Sequence, residues 1–458
     1  MADETRKAND EHGGTSRRDF LRAGGAAAAT SALATMAIPG AYAAEDDTIH
    51  LALIGCGGRG GGAVANAMHA PGGPVKLWAM ADLFEHRLEA SYKHLKRKFG
   101  DRVEVPPERR FVGFDSYKKA TECLRPGSGD VAMLTGYTAW RVVHLDCAVN
   151  RGVNVFMEKP FAVDPPAVRR LIAAGEKADE KNLKVAAGLM CRHSQARQQL
   201  IQRVRDGDMG QLILVRAYRM HGSGGLGPWK GRGNQLLWQV RHRTAFLWAS
   251  GSLFDELSIH QIDEACWLKD GWPVAAHGLG GRAPNNHSAG QNLDTYSIEY
   301  TFADGTKAHV VARYIRKCRR EFATYAHGTK CAAQFSGNVH APTVRTYKDQ
   351  RIADEGIAWK AGREPCGPHQ AEWNVLLDAI RNDRAHNETR RAAYSELASI
   401  MGRAAVHMGK TITWDQAMAS DFQFCPNIDA IDENSPPPVK PDEEGRYPVP
   451  IPGRWVEI

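Results

Sequence analysis

The sequence predicts an α/β protein: an amino-terminal doubly wound parallel sheet, joined to a carboxy-terminal α+β domain on a mostly antiparallel, open sheet. Three observations predict it. A glycine-rich turn links an apolar strand to a helix-forming run, short buried-type strands alternate with helical segments as far as residue 192, and later strand-like runs pair around tight turns. With 458 residues, 43% hydrophobic and 24% charged, the chain has apolar material for two separate cores.

A leader precedes that fold. Ser16-Arg17-Arg18-Asp19-Phe20-Leu21 closes a polar stretch, Ala23 to Ile38 is apolar and alanine-rich, and Ala41-Tyr42-Ala43 has the small-x-small pattern of a signal peptidase site. Together they predict a twin-arginine signal over residues 1–43, read by the Tat translocase, and a folded periplasmic protein starting near Ala44. The apolar stretch is short and small-residued for a membrane span. A disordered tail followed by a surface helix is the plainer alternative, and it leaves the paired arginines and the Ala-x-Ala site unexplained.

Composition narrows the partners. Lys and Arg number 59 against 52 Asp and Glu, a formal +7 spread along the chain without an aromatic-plus-basic motif, so no nucleic-acid partner is expected. The nine cysteines form no C-x-x-C pair and no Cys/His cluster at zinc spacing, so neither a disulfide framework nor a metal site is expected.

The first strand is Thr48 to Ile54, followed by Gly55-Cys56-Gly57-Gly58-Arg59-Gly60 and a helical run, Ala63 to Met68. A G-x-G-x-x-G turn in strand–turn–helix context places Gly55, Gly57, Gly58, Arg59 and Gly60 against a dinucleotide pyrophosphate. The second strand, Val75 to Ala81, ends at Asp82, about twenty residues further on, where a carboxylate accepts from the ribose hydroxyls and repels a ribose phosphate. NAD is therefore expected over NADP. A turn needed only for tight packing would explain neither Asp82 nor the spacing. Strands at Asp130 to Leu134, Val153 to Met157 and Lys184 to Met190 complete a Rossmann domain over 46–192. In the loop after the fourth strand, Thr135 and His144 are candidate cofactor contacts, with a purely structural role equally open for His144.

At the end of the fifth strand stands Met157-Glu158-Lys159-Pro160. Carboxyl ends of such strands face the cofactor crevice, so Glu158 and Lys159 project toward a nicotinamide. The positive charge of oxidised nicotinamide favours proton loss from Lys159, which then binds or deprotonates a substrate hydroxyl. Alone, the tripeptide reads more often as a solvated helix start, with Pro160 presetting φ.

Residues 193–415 form the second domain: a helix from Gln195 to Arg205, a strand from Leu212 to Arg219, runs pairing around Asp304-Gly305, and helices near Gln370 to Ile380 and Ala392 to Met408. The glycine-rich segment His221 to Arg243 reads as a lid or as an oligomer contact. The proline-rich remainder, 416–458, reads as an extended tail wrapping a surface or a neighbouring subunit.

On these segments the chain resembles the Gfo/Idh/MocA oxidoreductases, the glucose–fructose oxidoreductase and inositol dehydrogenase family. The glycine turn with Asp82, Glu158-Lys159-Pro160, Val185 to His193, the run containing His260 and Asp263, and Glu372 to Asp415 carry the resemblance. It implies that Lys159 lies beside the reacting carbon and that a histidine four residues after an acidic residue is the acid/base. Glu256 and His260 have that spacing, and on a helix begun near Ser252 they share a face with Asp263. Glu256 would orient the imidazole, and His260 would exchange the proton. Arg192 and His193, with Asp263, fall where the family contacts substrate; an interdomain ion pair is the alternative for Arg192. Two departures stand out: the acidic position is usually Asp, whereas Asp255 and Glu256 are neighbours here, and Thr135-Gly136 replaces a common Thr-Pro.

The expected function is hydride transfer between a tightly held NAD and a carbohydrate: a sugar, sugar acid or polyol. An exported enzyme has no dependable pool of free NAD, so it must regenerate the cofactor on board, by ping-pong reduction of a second sugar or by a redox-neutral cycle that cleaves or epimerises a glycoside. Retention of Glu158-Lys159-Pro160 leans toward net oxidoreduction. A non-catalytic NAD-binding scaffold is the third reading. The resemblance also implies a homodimer or homotetramer, with the open sheet face as a contact surface.

Overall fold

The computed structural model describes residues 47–337 and 343–458. Thr48–Ile458 is one compact unit. The expected export signal, Ser16 to Leu21 with Ala41 to Ala43, lies outside the described residues. Among those described, no helix is long and apolar enough to cross a membrane.

Two sheets organise the unit. The first is parallel, ordered β3-β2-β1-β4-β5-β6, from β1 (Ile49–Ile54), β2 (Val75–Asp82), β3 (Arg110–Val112), β4 (Val131–Leu134), β5 (Asn154–Met157) and β6 (Val185–Ala187). Every residue of β1, β4 and β5 is buried, the run of apolar side chains that a parallel sheet needs when helices cover both faces. Helix α1 (Gly58–His69) starts earlier than the apolar run predicted, because Gly57 is already extended and the helix begins at the next residue. β6 is shorter than expected, ending before Gly188. There a Cβ would sit 2.9 Å from the Glu158 carboxylate, and the chain leaves the sheet into a 3-10 turn, Met190–His193.

The second sheet has nine strands, ordered β14-β13-β12-β11-β7-β10-β9-β8-β15. They are β7 (Leu212–Met220), β8 (Ala275–Gly281), β9 (Thr295–Thr301), β10 (Lys307–Arg313), β11 (Glu321–Gly328), β12 (Ala332–Ser336), β13 (Arg345–Tyr347), β14 (Ile357–Lys360) and β15 (Ile412–Thr413). β7 and β10 are parallel; the other neighbours are antiparallel. β9 and β10 form the hairpin around Asp304-Gly305. Alternation sets their faces: Tyr296, Ile298 and Tyr300 with Ala308, Val310 and Ala312 are buried, while Glu299 on the other face pairs with Lys307 and His309.

Later helices tie the sheets together. α2 (Glu85–Phe99) and α3 (Arg141–Arg151) flank the first sheet, and α4 (Ser252–Lys269) lies on the second. α5 (Pro368–Arg381) returns from the second half of the chain to the first: Trp373 is fully buried with its ring 4.5 Å from Phe156 of β5. Removing a side chain of that size would cost about 3–5 kcal/mol. α6 (Thr389–Met408) is buried along most of its length and packs on α4, β8 and β9. The tail wraps this chain's own body: Tyr447 stacks on Trp238 and meets Phe246 edge to face, and Glu457 is fully buried. Trp229, in the glycine-rich segment, donates its amide to Gly445, so that segment and the tail hold one another. All nine cysteines are free thiols.

Candidate nucleotide cleft and active site

Backbone dominates the nucleotide end. Gly55 has φ +102°, and a Cβ there would lie 2.3 Å from the Gly136 nitrogen; at Gly60 it would lie 2.3 Å from the Gly55 carbonyl. Rigid backbone thus excludes side chains at both positions. At Gly57 and Gly58 a Cβ would meet nothing within 4 Å. The amino end of α1 has no side-chain cap and no acidic residue in its first turn, and its dipole and free amides favour an anion there. Above it opens a cleft of about 770 Å³, lined by the glycine turn, Asp82, His86, Arg87, Thr135, Tyr137 and Arg243. Open space over the glycines, an anion-seeking helix end and a cleft of this volume fit a dinucleotide.

Asp82 accepts the Cys56 amide at 2.7 Å with one carboxylate oxygen and the Phe84 amide at 2.9 Å with the other. Each oxygen keeps capacity for a ribose hydroxyl. Burial pushes its carboxyl above the usual range, against the pull of these two amides and of Arg87. The Thr135 hydroxyl donates to the Gly55 carbonyl at 2.6 Å, tying β4 to the turn.

The guanidinium of Arg59 bonds Glu158 at 2.5 Å and reaches Glu372 at 3.4 Å. Thus two residues that the sequence assigned to the cofactor are partners of one another, although Arg59 also lines the cleft. Burial works against the Glu158 anion, but the charge and hydrogen bond of Arg59, with Lys159, outweigh it and hold Glu158 below the usual carboxylate range. Glu372 goes the other way: burial and the Glu158 charge push it well above that range. His144 lies outside the cleft lining, stacked on Tyr117 at 4.2 Å between centroids. Burial and neighbouring Arg141 bring it down to about 3, so its ring is neutral. Of the two roles open for His144, the structure places it in the packing one.

The reaction end is assembled from distant segments. β5 runs through Glu158 into Lys159, whose ammonium donates to the Glu256 carbonyl at 2.6 Å and lies 3.8 Å from the Glu256 carboxylate. Arg243 bonds the same carboxylate at 3.2 Å and also lines the cleft, so it joins the two ends. Successive residues of a helix point about 100° apart, and this resolves the neighbouring acids. Asp255 turns inward to Ser399, at 2.6 Å, and to Arg403, whereas Glu256 faces Lys159. His260, one turn along α4, is 6% exposed.

Asp263 takes a bidentate pair from Arg192, at 2.8 and 2.9 Å, and a hydrogen bond from Ser395 at 2.7 Å. For Arg192 the structure therefore realises the ion pair. His193 lies 3.2 Å from Glu388, whose carboxylate also accepts the Ala187 amide at 2.8 Å. These residues fasten β6 to α4 and α6.

Behind α4 is a network that the sequence did not reveal. Arg403 of α6 binds Asp255, Glu457 at 3.0 Å and the Val163 carbonyl at 2.9 Å. His407 meets Glu457 at 3.0 Å and Tyr296 at 2.9 Å. Despite full burial, His407 and Arg403 hold Glu457 down to about 2. No local signal marks Arg243 or Arg403 for these roles; Arg243 closes the glycine-rich segment, Arg403 stands on α6, and only tertiary contacts place them. No group of His, Cys, Asp and Glu among the described residues has a metal-binding arrangement.

The fold and cleft define a two-sheet α/β protein with a dinucleotide-type crevice. Residues 197–334 match the family model of the GFO/IDH/MocA C-terminal domain. Among solved structures, the aldose–aldose oxidoreductase of Caulobacter crescentus, complexed with glycerol, aligns with TM-score 0.61 at 17% identity, over 80% of this chain and 99% of that one. The scyllo-inositol dehydrogenase of Lactobacillus casei, with bound NAD(H) and scyllo-inositol, aligns with TM-score 0.57 at 20% identity, over 80% and 99%. The myo-inositol 2-dehydrogenase of Lactobacillus plantarum gives the same values, 0.57, 20%, 80% and 99%. No curated protein matches the chain by sequence. The likeness to these structures is one of fold: a six-stranded parallel sheet followed by a mixed, mostly antiparallel one.

Proposed function

We propose that the chain is a Gfo/Idh/MocA-type oxidoreductase that uses a tightly held NAD to oxidise a carbohydrate CH–OH group. The observation that carries this is the placement of Lys159: its ammonium is pinned by Glu256 at the carboxyl end of β5, one helical turn from His260, and Arg243 connects that carboxylate to the nucleotide cleft. The glycine turn, the amino end of α1, Asp82 and Thr135 would hold the nucleotide. When bound, NAD supplies the hydride acceptor. Lys159 and His260 hold the substrate hydroxyl, and His260 takes its proton. Glu256 keeps the Lys159 ammonium from swinging into solvent, and Arg243 holds the Glu256 carboxylate in place. We also propose export through the twin-arginine route to the periplasm, on the strength of Ser16 to Leu21 and Ala41 to Ala43, and a homodimer or homotetramer formed through the open sheet face.

Native mass spectrometry of the purified protein tests cofactor identity, occupancy and subunit number together. NAD retained through purification supports the proposal; a protein that neither carries nor binds a nicotinamide nucleotide sinks it. Bound NADH that accumulates with one sugar and is discharged by a second marks net oxidoreduction. In deuterated water, label entering beside the oxidised carbon without net NADH marks the redox-neutral alternative.

A further inference from the structure

Enclosed arginines in this protein have partners. Arg192 holds Asp263, Arg403 holds Asp255 and Glu457, Arg197 lies 3.3 Å from Glu264, and Arg141 donates to the Gly136 carbonyl at 3.0 Å. Arg219, near the end of β7 and half-buried, differs in having an aromatic ring rather than an acid or a carbonyl as its neighbour among the described residues. Its guanidinium lies 3.5 Å over the Phe322 ring, and its buried Nε has no hydrogen-bond partner among the described residues. The groups that favour its charge are Tyr314 and Cys191, both neutral, since burial raises the pKa of each. Burial brings the guanidinium itself down to about 10. A half-buried cation without a counter-charge is only partly solvated, and an anion arriving from the cleft relieves that cost.

Space for that anion adjoins it. Arg219, His221, Arg319 and Arg320 line a cleft of about 440 Å³, within the range of a small-molecule site. The one acid in its wall, Glu321, lies 3.3 Å from Arg319 and so offsets that residue. The neighbours of Arg219 lead from the cleft toward the reaction end: Phe322 of the cleft wall packs on Met190 and Cys191. Cys191 precedes Arg192 in the turn after β6, and the Tyr314 hydroxyl bonds Ser258 at 3.0 Å, between Glu256 and His260 on α4.

We propose that this cleft binds the carboxylate of an acidic sugar, and that among sugar, sugar acid and polyol the substrate is a sugar acid, read by Arg219. A guanidinium fork matches a carboxylate with two parallel hydrogen bonds, a geometry that a neutral hydroxyl does not offer. This inference rests on the oxidoreductase reading, and a binding measurement separates the two. By calorimetry on the full-length, NAD-loaded protein, a hexuronate should bind roughly 10- to 100-fold more tightly than its uronamide, glucose or myo-inositol, the margin of charge-assisted hydrogen bonds. Arg219→Met should erase that margin while leaving NAD occupancy unchanged, and Arg219→Lys should restore part of it. On the unmutated protein, hexuronate binding without NADH formation would remove the oxidoreductase reading and leave this proposal standing. Equal affinity for the hexuronate and its uronamide on the unmutated protein would overturn the proposal, whether or not the Arg219 variants fold. So would inorganic sulfate binding where no hexuronate binds, which would mark a bare anion site.

Discussion

The proposed nucleotide end and the proposed reaction end of the crevice are built by opposite means. The first is drawn from a short run of chain, Gly55 to Asp82, and relies on backbone: a turn that tolerates no Cβ at two positions and a helix end without a cap. The second is gathered from Lys159, Arg243, Glu256 and Arg403, residues far apart in sequence, and relies on charged side chains in ion pairs. A contiguous backbone device fails locally when altered. A device made of buried charges fails through whichever partner is left alone.

Perturbing each end separately should expose that difference. The largest effect belongs to Lys159→Met or His260→Ala: turnover should fall by about 10²–10⁴-fold, the usual contribution of a positioned acid/base, with NAD binding retained by fluorescence titration. Full activity in the double variant would remove the site assignment. Next comes Arg403→Met, which strands Asp255 and Glu457 without their cation; breaking such a buried pair costs about 3–5 kcal/mol, measured as loss of urea midpoint. Because Asp255 adjoins Glu256, the same variant should lower turnover more than NAD affinity. Gly60→Ala should be milder, about 1–3 kcal/mol for overpacking, and should show the reverse selectivity, with NAD affinity falling first.

The smallest effect is a contrast in pH dependence between the ends. Glu372 has a raised pKa in the folded protein, so the folded chain keeps a proton that the unfolded chain releases near pH ~4.3. Its contribution to stability therefore falls as pH climbs from there toward the folded value. Glu372→Gln mimics the protonated acid, and should flatten that slope with little loss of thermal midpoint at neutral pH. Glu457 behaves oppositely: held down to about 2, it contributes stability above roughly pH 4.3 that is lost as pH falls toward 2. Glu457→Gln should lose midpoint at neutral pH and converge with the parent protein in acid. Coincident pH profiles for parent and variant would show that neither group carries the linkage.

The same division governed what the sequence disclosed. The glycine turn, Asp82 and the strands around them were legible because local spacing encodes them, and the α/β architecture followed from alternation of apolar runs. On α4, spacing put Glu256, His260 and Asp263 on one face, but it left open whether Asp255 or Glu256 faced the site. That answer depended on Arg403 and Ser399, more than 140 positions away. Arg192 and Asp263 were both noticed, yet their union was not, since nothing in either segment names the other. Arg243, Arg219 and Glu457 were invisible for the same reason: their meaning lies in what surrounds them, and a helix period or a strand alternation carries no such information.

Asp82 has a consequence beyond the ribose contact proposed for it. Its two carboxylate oxygens staple the Cys56 amide of the glycine turn and the Phe84 amide of the next loop. The residue proposed to discriminate between nucleotides is thus also the one that fixes the shape of the glycine turn. A single replacement meant to admit a phosphorylated ribose would loosen the pyrophosphate cradle at the same time. Drift from one cofactor to the other would therefore need a companion change supplying new acceptors for those amides, which makes preference here a property of the turn as a whole.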